Sequence, residues 1–79
     1  MEMKIRFKDP MNFKRQLLIK GYSLRSFAIE AGMSNGYLSL MLREERHPSP
    51  GIAQKILAVI GAEFEDIFFI EDVHQSKQE

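Results

Sequence analysis

Three side chains in this 79-residue chain are spaced for recognition chemistry: Asn35, Ser39 and Arg43, each four residues from the next. In a helix that interval places all three on one face, with Gly36 and Leu40 beside them. An asparagine amide offers the paired donor and acceptor that match an adenine edge, and a serine hydroxyl reaches several bases. Gly36 would let a backbone approach closely, Leu40 could touch a thymine methyl, and Arg43 carries charge suited to a phosphate. This is the chemistry of hydrogen-bonded recognition, in which no bond is made or broken.

Other chemistries lack their parts. There are no cysteines, and His47 and His74 lie far apart with no carboxylate at ligand spacing, so no metal site is expected. His47 reads as an exposed contact residue in a loop. Ser23, Ser26, Ser34, Ser39 and Ser49 fall at helix caps and surface positions, with no His–Asp pattern to activate one. "GMSNG" follows a helix and lacks the preceding strand that a nucleotide-binding loop needs. The acids of "EFEDIFFIED" fit the wet face of a helix. No enzyme and no cofactor are expected.

The elements that must position Asn35, Ser39 and Arg43 can be read from periodicity and punctuation. "MKIRF" alternates apolar and basic residues like a strand and stops at Asp9-Pro10. One short strand cannot stand alone, so it is expected to pack as an extended arm or to pair with another chain. A first helix runs from Pro10 or Asn12 to Lys20, with Phe13 and Leu17 on one face and Gly21 as its stop. Ser23 caps a second helix carrying Leu24, Phe27, Ala28 and Ala31 inward, and Gly32 ends it. Ser34 caps a third helix, about 34–43, with Leu38, Met41 and Leu42 inward. Pro48 and Pro50 break the chain into a loop. Ser49 then caps a fourth helix with Ala53, Ile56, Leu57 and Ile60 buried, closed by Gly61. "EFEDIFFIEDV" reads as a short fifth helix using Phe64, Ile67 and Phe68. The fold class expected is all-α: one compact five-helix domain over 10–70, an extended N-terminal arm over 1–9 and a polar tail over 71–79.

Between Ala31 and Ser34 only Gly32 and Met33 intervene. Helices joined this tightly cannot lie antiparallel and must cross at ~90–120°, as in a helix-turn-helix. Ala28 is small where the helices approach, Gly32 can take the positive φ of the turn, and Met33 offers an apolar plug beneath it. Charge is distributed to match. The chain is formally neutral, yet nine of its eleven Lys and Arg lie at or before Arg46, and six of its eleven Asp and Glu lie after it. A basic front half suits a polyanion.

The run "YSLRSFAIEAGMSNGYLSLMLREERHPSPGIAQKILAVIGAEFEDIF" resembles the Cro/repressor-type (Xre-like) helix-turn-helix domain of phage and bacterial transcriptional regulators. The most specific parts are "FA...AGMS..YLS", "PSP..A.KI" and the final "EDIF". The resemblance implies a five-helix, often dimeric, DNA-binding domain whose third helix enters the major groove, and short members are typical of mobile elements and prophages. On that reading the base contacts are Asn35, Gly36, Ser39 and Leu40, and the backbone contacts are Ser23, Arg25, Ser34, Tyr37, Arg43 and Arg46. Lys14 and Arg15 could add charge, and Tyr37 could equally pack in the bundle. The capped N-termini of the second and third helices offer free N–H groups to phosphates.

The chain also departs from the family. Leu24 stands where many members place a phosphate-gripping glutamine, and Leu42-Arg43-Glu44 replaces the Glu-x-Gly that commonly ends the third helix. Glu44 and Glu45 would repel phosphate unless Arg43 and Arg46 pair with them. Phe69 and Ile70 make the fifth helix apolar nearly all round, so the chain end folds back over the bundle or meets a second subunit. The expectation is a cytoplasmic, sequence-specific transcriptional regulator of phage or mobile-element type. Its partners would be double-stranded DNA and a second copy, joined through the Met3–Phe7 arm or Phe69 and Ile70. No apolar run is long enough to span a membrane. The alternatives are a protein-interaction module on the same fold, such as an antirepressor or partner-binding subunit, and a helical accessory domain without a nucleic-acid partner.

Overall fold

The computed structural model describes residues 2–72. In chain order the elements are β1 (Met3–Phe7), α1 (Pro10–Ile19), α2 (Leu24–Ala31), α3 (Asn35–Leu42), α4 (Pro50–Ile60), α5 (Phe64–Ile67) and β2 (Phe68–Asp72). The helices start where side-chain oxygens replace the missing backbone partners. Asp9 accepts from the Asn12 N–H at 3.0 Å, and Ser34 Oγ from the Tyr37 N–H at 3.0 Å. Ser49 Oγ accepts from the Ile52 N–H at 3.2 Å. Ser23 and Ser26 cap α2 reciprocally, each hydroxyl accepting from the other's backbone N–H.

The core holds Phe13, Leu17, Phe27, Ala28, Ala31, Leu38, Met41, Leu42, Ala53, Ile56, Leu57 and Ile60, the residues placed inward by helical spacing. Leu24 and Phe64 are only half-buried. His47 is also half-buried, so the expectation of an exposed histidine is met only in part, while His74 lies outside the described residues.

Two expectations are corrected. The chain is not purely helical, because β1 and β2 form a two-stranded antiparallel sheet pairing Phe7 with Phe68, Arg6 with Phe69, Ile5 with Ile70, Lys4 with Glu71 and Met3 with Asp72. The segment read as an arm thus pairs within its own chain. The fifth helix is also shorter than expected. It ends at Ile67, and Phe68 begins an extended strand with φ −123° and ψ 166°. Glu71 and Asp72, placed in a tail by sequence, lie in that strand; residues 73–79 lie outside the described set. An all-round apolar stretch is ambiguous between a buried helix and a strand, and here the length of the run and its two phenylalanines favoured the strand.

The sheet joins the core at its base. Phe7 and Phe68 are buried, and the Phe7 ring lies 4.8 Å, centroid to centroid, from both Phe13 and Phe68. Phe13 meets Phe27 edge-on at 5.6 Å, and Phe27 meets Tyr22 at 5.4 Å. One aromatic chain therefore links the sheet to α1 and α2. Beyond that base the sheet carries Met3 and Ile70, both more than half exposed, on the face that continues from Phe7 and Phe68.

Candidate nucleic-acid interface

The turn between α2 and α3 is built as its residues require. Gly32 takes φ 76°, and the Met33 N–H donates to the Ala28 carbonyl at 2.9 Å, closing α2. Met33 is half-buried against the core, and Ala28 is fully buried between the helices. Buried Leu38, Met41 and Leu42 pin one side of α3, which leaves its other side outward.

On that outward side Asn35 and Gly36 are exposed in the first helical turn, and Arg43 is exposed at the C-cap. Ser39 and Leu40 are only half-buried, so the accessible hydrogen-bonding surface is concentrated at the N-terminal turn of α3. No heavy atom would meet a Cβ on Gly36 within 4 Å, so open space lies in front of its backbone. Ser34 Oγ takes the third N–H of α3, leaving those of Asn35 and Gly36 directed outward. Ser23 and Arg25 are likewise exposed at the start of α2, with Lys14 and Arg15 exposed on α1. Tyr37 packs against the core as a half-buried residue, and the Arg46 guanidinium lies over its ring at 6.0 Å.

The acidic pair after α3 meets the expectation in part: Arg43 pairs with Glu45, while Arg46 turns to Tyr37. Arg43 Nε donates to Glu45 Oε2 at 3.3 Å, a contact between two largely exposed groups that contributes little. Arg46 is engaged with Tyr37. Glu44 is paired instead by Arg6 of β1, whose other terminal nitrogen donates to Glu71 Oε1 of β2 at 2.9 Å. The Glu71 hydrogen bond raises the Arg6 pKa above the usual arginine value, against the opposing effect of burial and with help from the charge of Glu44. Arg6 is the residue beside the candidate interface that the sequence does not single out. Its place in an alternating apolar–basic strand was visible, but not which acid it would meet.

Glu44 also explains the missing glycine. It has φ 64°, and among the described residues it is the one non-glycine in that region. The Glu44 N–H donates to the Met41 carbonyl and the Glu45 N–H to the Leu40 carbonyl, at 3.0 and 2.9 Å. These are the two bonds of a left-handed helix stop, made here without glycine. Leu24, at the family's glutamine position, lines a small apolar cleft with Lys14, Leu17, Leu18 and Tyr22.

Comparison with known proteins agrees with this architecture. The helix-turn-helix family profile matches residues 13–67. The chain is 38% identical over 56 residues to the uncharacterized HTH-type transcriptional regulator YvzC of Bacillus subtilis (strain 168), covering 71% of this chain and 73% of that one. It also superimposes on the N-terminal DNA binding domain of SinR from Bacillus subtilis with a TM-score of 0.62 and 32% identity. That match covers 71% of this chain and 83% of the other. With α2, the Gly32 turn and α3 inside the matched region, the chain belongs to the helix-turn-helix family of Cro/repressor, Xre-like type.

Proposed function

We propose that this chain is a sequence-specific DNA-binding transcriptional regulator of phage or mobile-element type, working in the cytoplasm without cofactor or chemistry. The observation that carries the reading is α3 itself. It is held by a tight turn from α2, buried along one side, and it presents Asn35, Gly36 and two free N–H groups from its first turn. With its side chains an α-helix is about 10–12 Å across, which fits the ~12 Å width of the major groove. The names of its relatives support the same reading.

In this reading Asn35, Gly36, Ser39 and Leu40 meet base edges. Ser23, Arg25, Ser34, Tyr37, Arg43 and Arg46 hold the duplex in place without reading it. Affinity comes largely from phosphate neutralisation, so it falls steeply with salt. A second copy would join through the outer part of the two-stranded sheet, where Met3 and Ile70 are exposed on one face and Phe69 on the other, and would present two recognition helices about one turn of DNA apart.

Fluorescence anisotropy tests the reading. The purified chain is titrated against a duplex selected from random sequence and against a scrambled duplex, each at two salt concentrations. Tighter, salt-dependent binding to the selected duplex is the expected result. Failure to select any sequence, with no binding at low salt, would overturn it. The second reading, a protein-interaction module, draws on the exposed Leu18, Ile19 and Ile29 of α1 and α2 and on Leu24 in place of a phosphate-gripping side chain.

A further inference from the structure

We infer that Arg6, in the N-terminal strand, is a positioning residue for DNA binding: it neutralises Glu44 at the end of the recognition helix and so lets that end of α3 lie beside a phosphate strand. The inference rests on the DNA-binding reading above and deepens it.

Glu44 lies two residues beyond the last residue of α3, held there by its backbone hydrogen bond to Met41 and by its neighbour's bond to Leu40. With α3 seated in the major groove, a helix about 10–12 Å across fills a width of ~12 Å, so phosphate rows flank it on both sides and the residue that closes it stands near them. A carboxylate there lies within the ~10 Å Debye length of those phosphates and would repel them. Glycine in this position would carry no charge. Glu44 does, and its backbone cannot withdraw it.

Arg6 supplies the compensation from 38 residues away. Its guanidinium bridges Glu44 and Glu71, so β2 holds one end of the fork and aims the other at the recognition helix. The Arg6 side chain is only 28% exposed, and its Nε is buried without a partner. A free surface arginine would turn to solvate that nitrogen. Here it is retained in the arrangement that serves the two carboxylates. Arg43 and Arg46, which flank the acidic pair in sequence, are turned to Glu45 and Tyr37, so neither takes this role.

The test compares the wild-type chain with Arg6→Gln, Arg6→Gln/Glu44→Gln and Arg6→Gln/Glu71→Gln, using the selected and scrambled duplexes, with circular dichroism on each variant. Arg6→Gln should weaken binding to both duplexes about five- to tenfold, the size expected for one uncompensated charge within a Debye length of one or two phosphates. Adding Glu44→Gln should restore affinity; adding Glu71→Gln, which changes net charge equally but away from α3, should not. A role confined to joining β1 to β2 would show no rescue by Glu44→Gln, and a simple net-charge effect would show equal rescue by both. Either result overturns the inference, as does Arg6→Gln binding like wild type. Should Arg6→Gln fail to fold, the two double variants are compared directly: tighter binding by the Glu44→Gln pair supports the inference, and equal affinity overturns it. Absence of binding by the wild-type chain to every duplex overturns the DNA-binding reading and this inference with it.

Discussion

Phe7 and Phe68, 61 positions apart in sequence, face each other across the β1–β2 ladder with ring centroids 4.8 Å apart and planes inclined at 46°. Both are buried, so the two-stranded sheet is fastened to the helical core by its own base. Phe68→Ala should cost about 3–5 kcal/mol, the usual range for removing a buried phenylalanine, against the ~5–15 kcal/mol that holds small domains. Urea denaturation followed by circular dichroism measures it. A loss below about 1 kcal/mol would mean that the strand is an appendage, not part of the core.

Two glycines near the turn should respond oppositely to alanine. Gly32, at φ 76°, would force a side chain into a strained backbone region, and Gly32→Ala should destabilise by about 1 kcal/mol. Gly36 is helical with open space around it, so Gly36→Ala should stabilise by roughly 0.4–1 kcal/mol. The same Gly36→Ala change should weaken binding to the selected duplex, because the added methyl separates backbone from groove. A more stable chain that binds as before would remove Gly36 from the interface.

The left-handed backbone at Glu44 predicts an order of stabilities. Glu44→Gly relieves the strain while losing the Arg6 pair, whereas Glu44→Ala loses the pair and keeps the strain. The glycine variant should therefore be more stable than the alanine variant by about 1 kcal/mol. Paired denaturation curves decide this, and equal midpoints would show that the loop relaxes on substitution.

Readers and positioners should separate in binding assays. Asn35→Ala/Ser39→Ala should cost about 1–3 kcal/mol of discrimination between selected and scrambled duplexes while leaving weak binding in place. Arg43→Ala should weaken both complexes alike and flatten the salt dependence by close to one ion. Arg43→Ala with loss of preference at a single base pair would make that residue a reader.

Leu24 offers a gain rather than a loss. Leu24→Gln places an amide at the start of α2, where related domains grip a phosphate, and the half-buried site beside Leu18 and Tyr22 opens to the surface. Affinity for both duplexes should rise by a factor of about three to ten, the worth of one net hydrogen bond. Unchanged titration curves would show that the start of α2 stands off from the duplex.

Local chemistry made most of this molecule legible from residue order alone. Ser23, Ser34 and Ser49 cap helices because their hydroxyls reach an N–H three residues on, and Gly32 and Gly61 stop them through a positive φ. Phe27, Leu38 and Ile56 turn inward because their spacing matches a helix whose other side is polar. These are interactions within one or two turns, and neighbouring residues suffice to specify them. What joins the two ends of the chain is different in kind. "MKIRF" shows the period of a strand but not its partner, and "FFIED" reads as helix from its residues alone, so the pairing of β1 with β2 was decided only when both met the core through Phe7 and Phe68. The same packing brought Arg6 to Glu44 and Glu71, 38 and 65 residues away. Proximity across such distances follows from how the core closes, and no local pattern of residue types carries it.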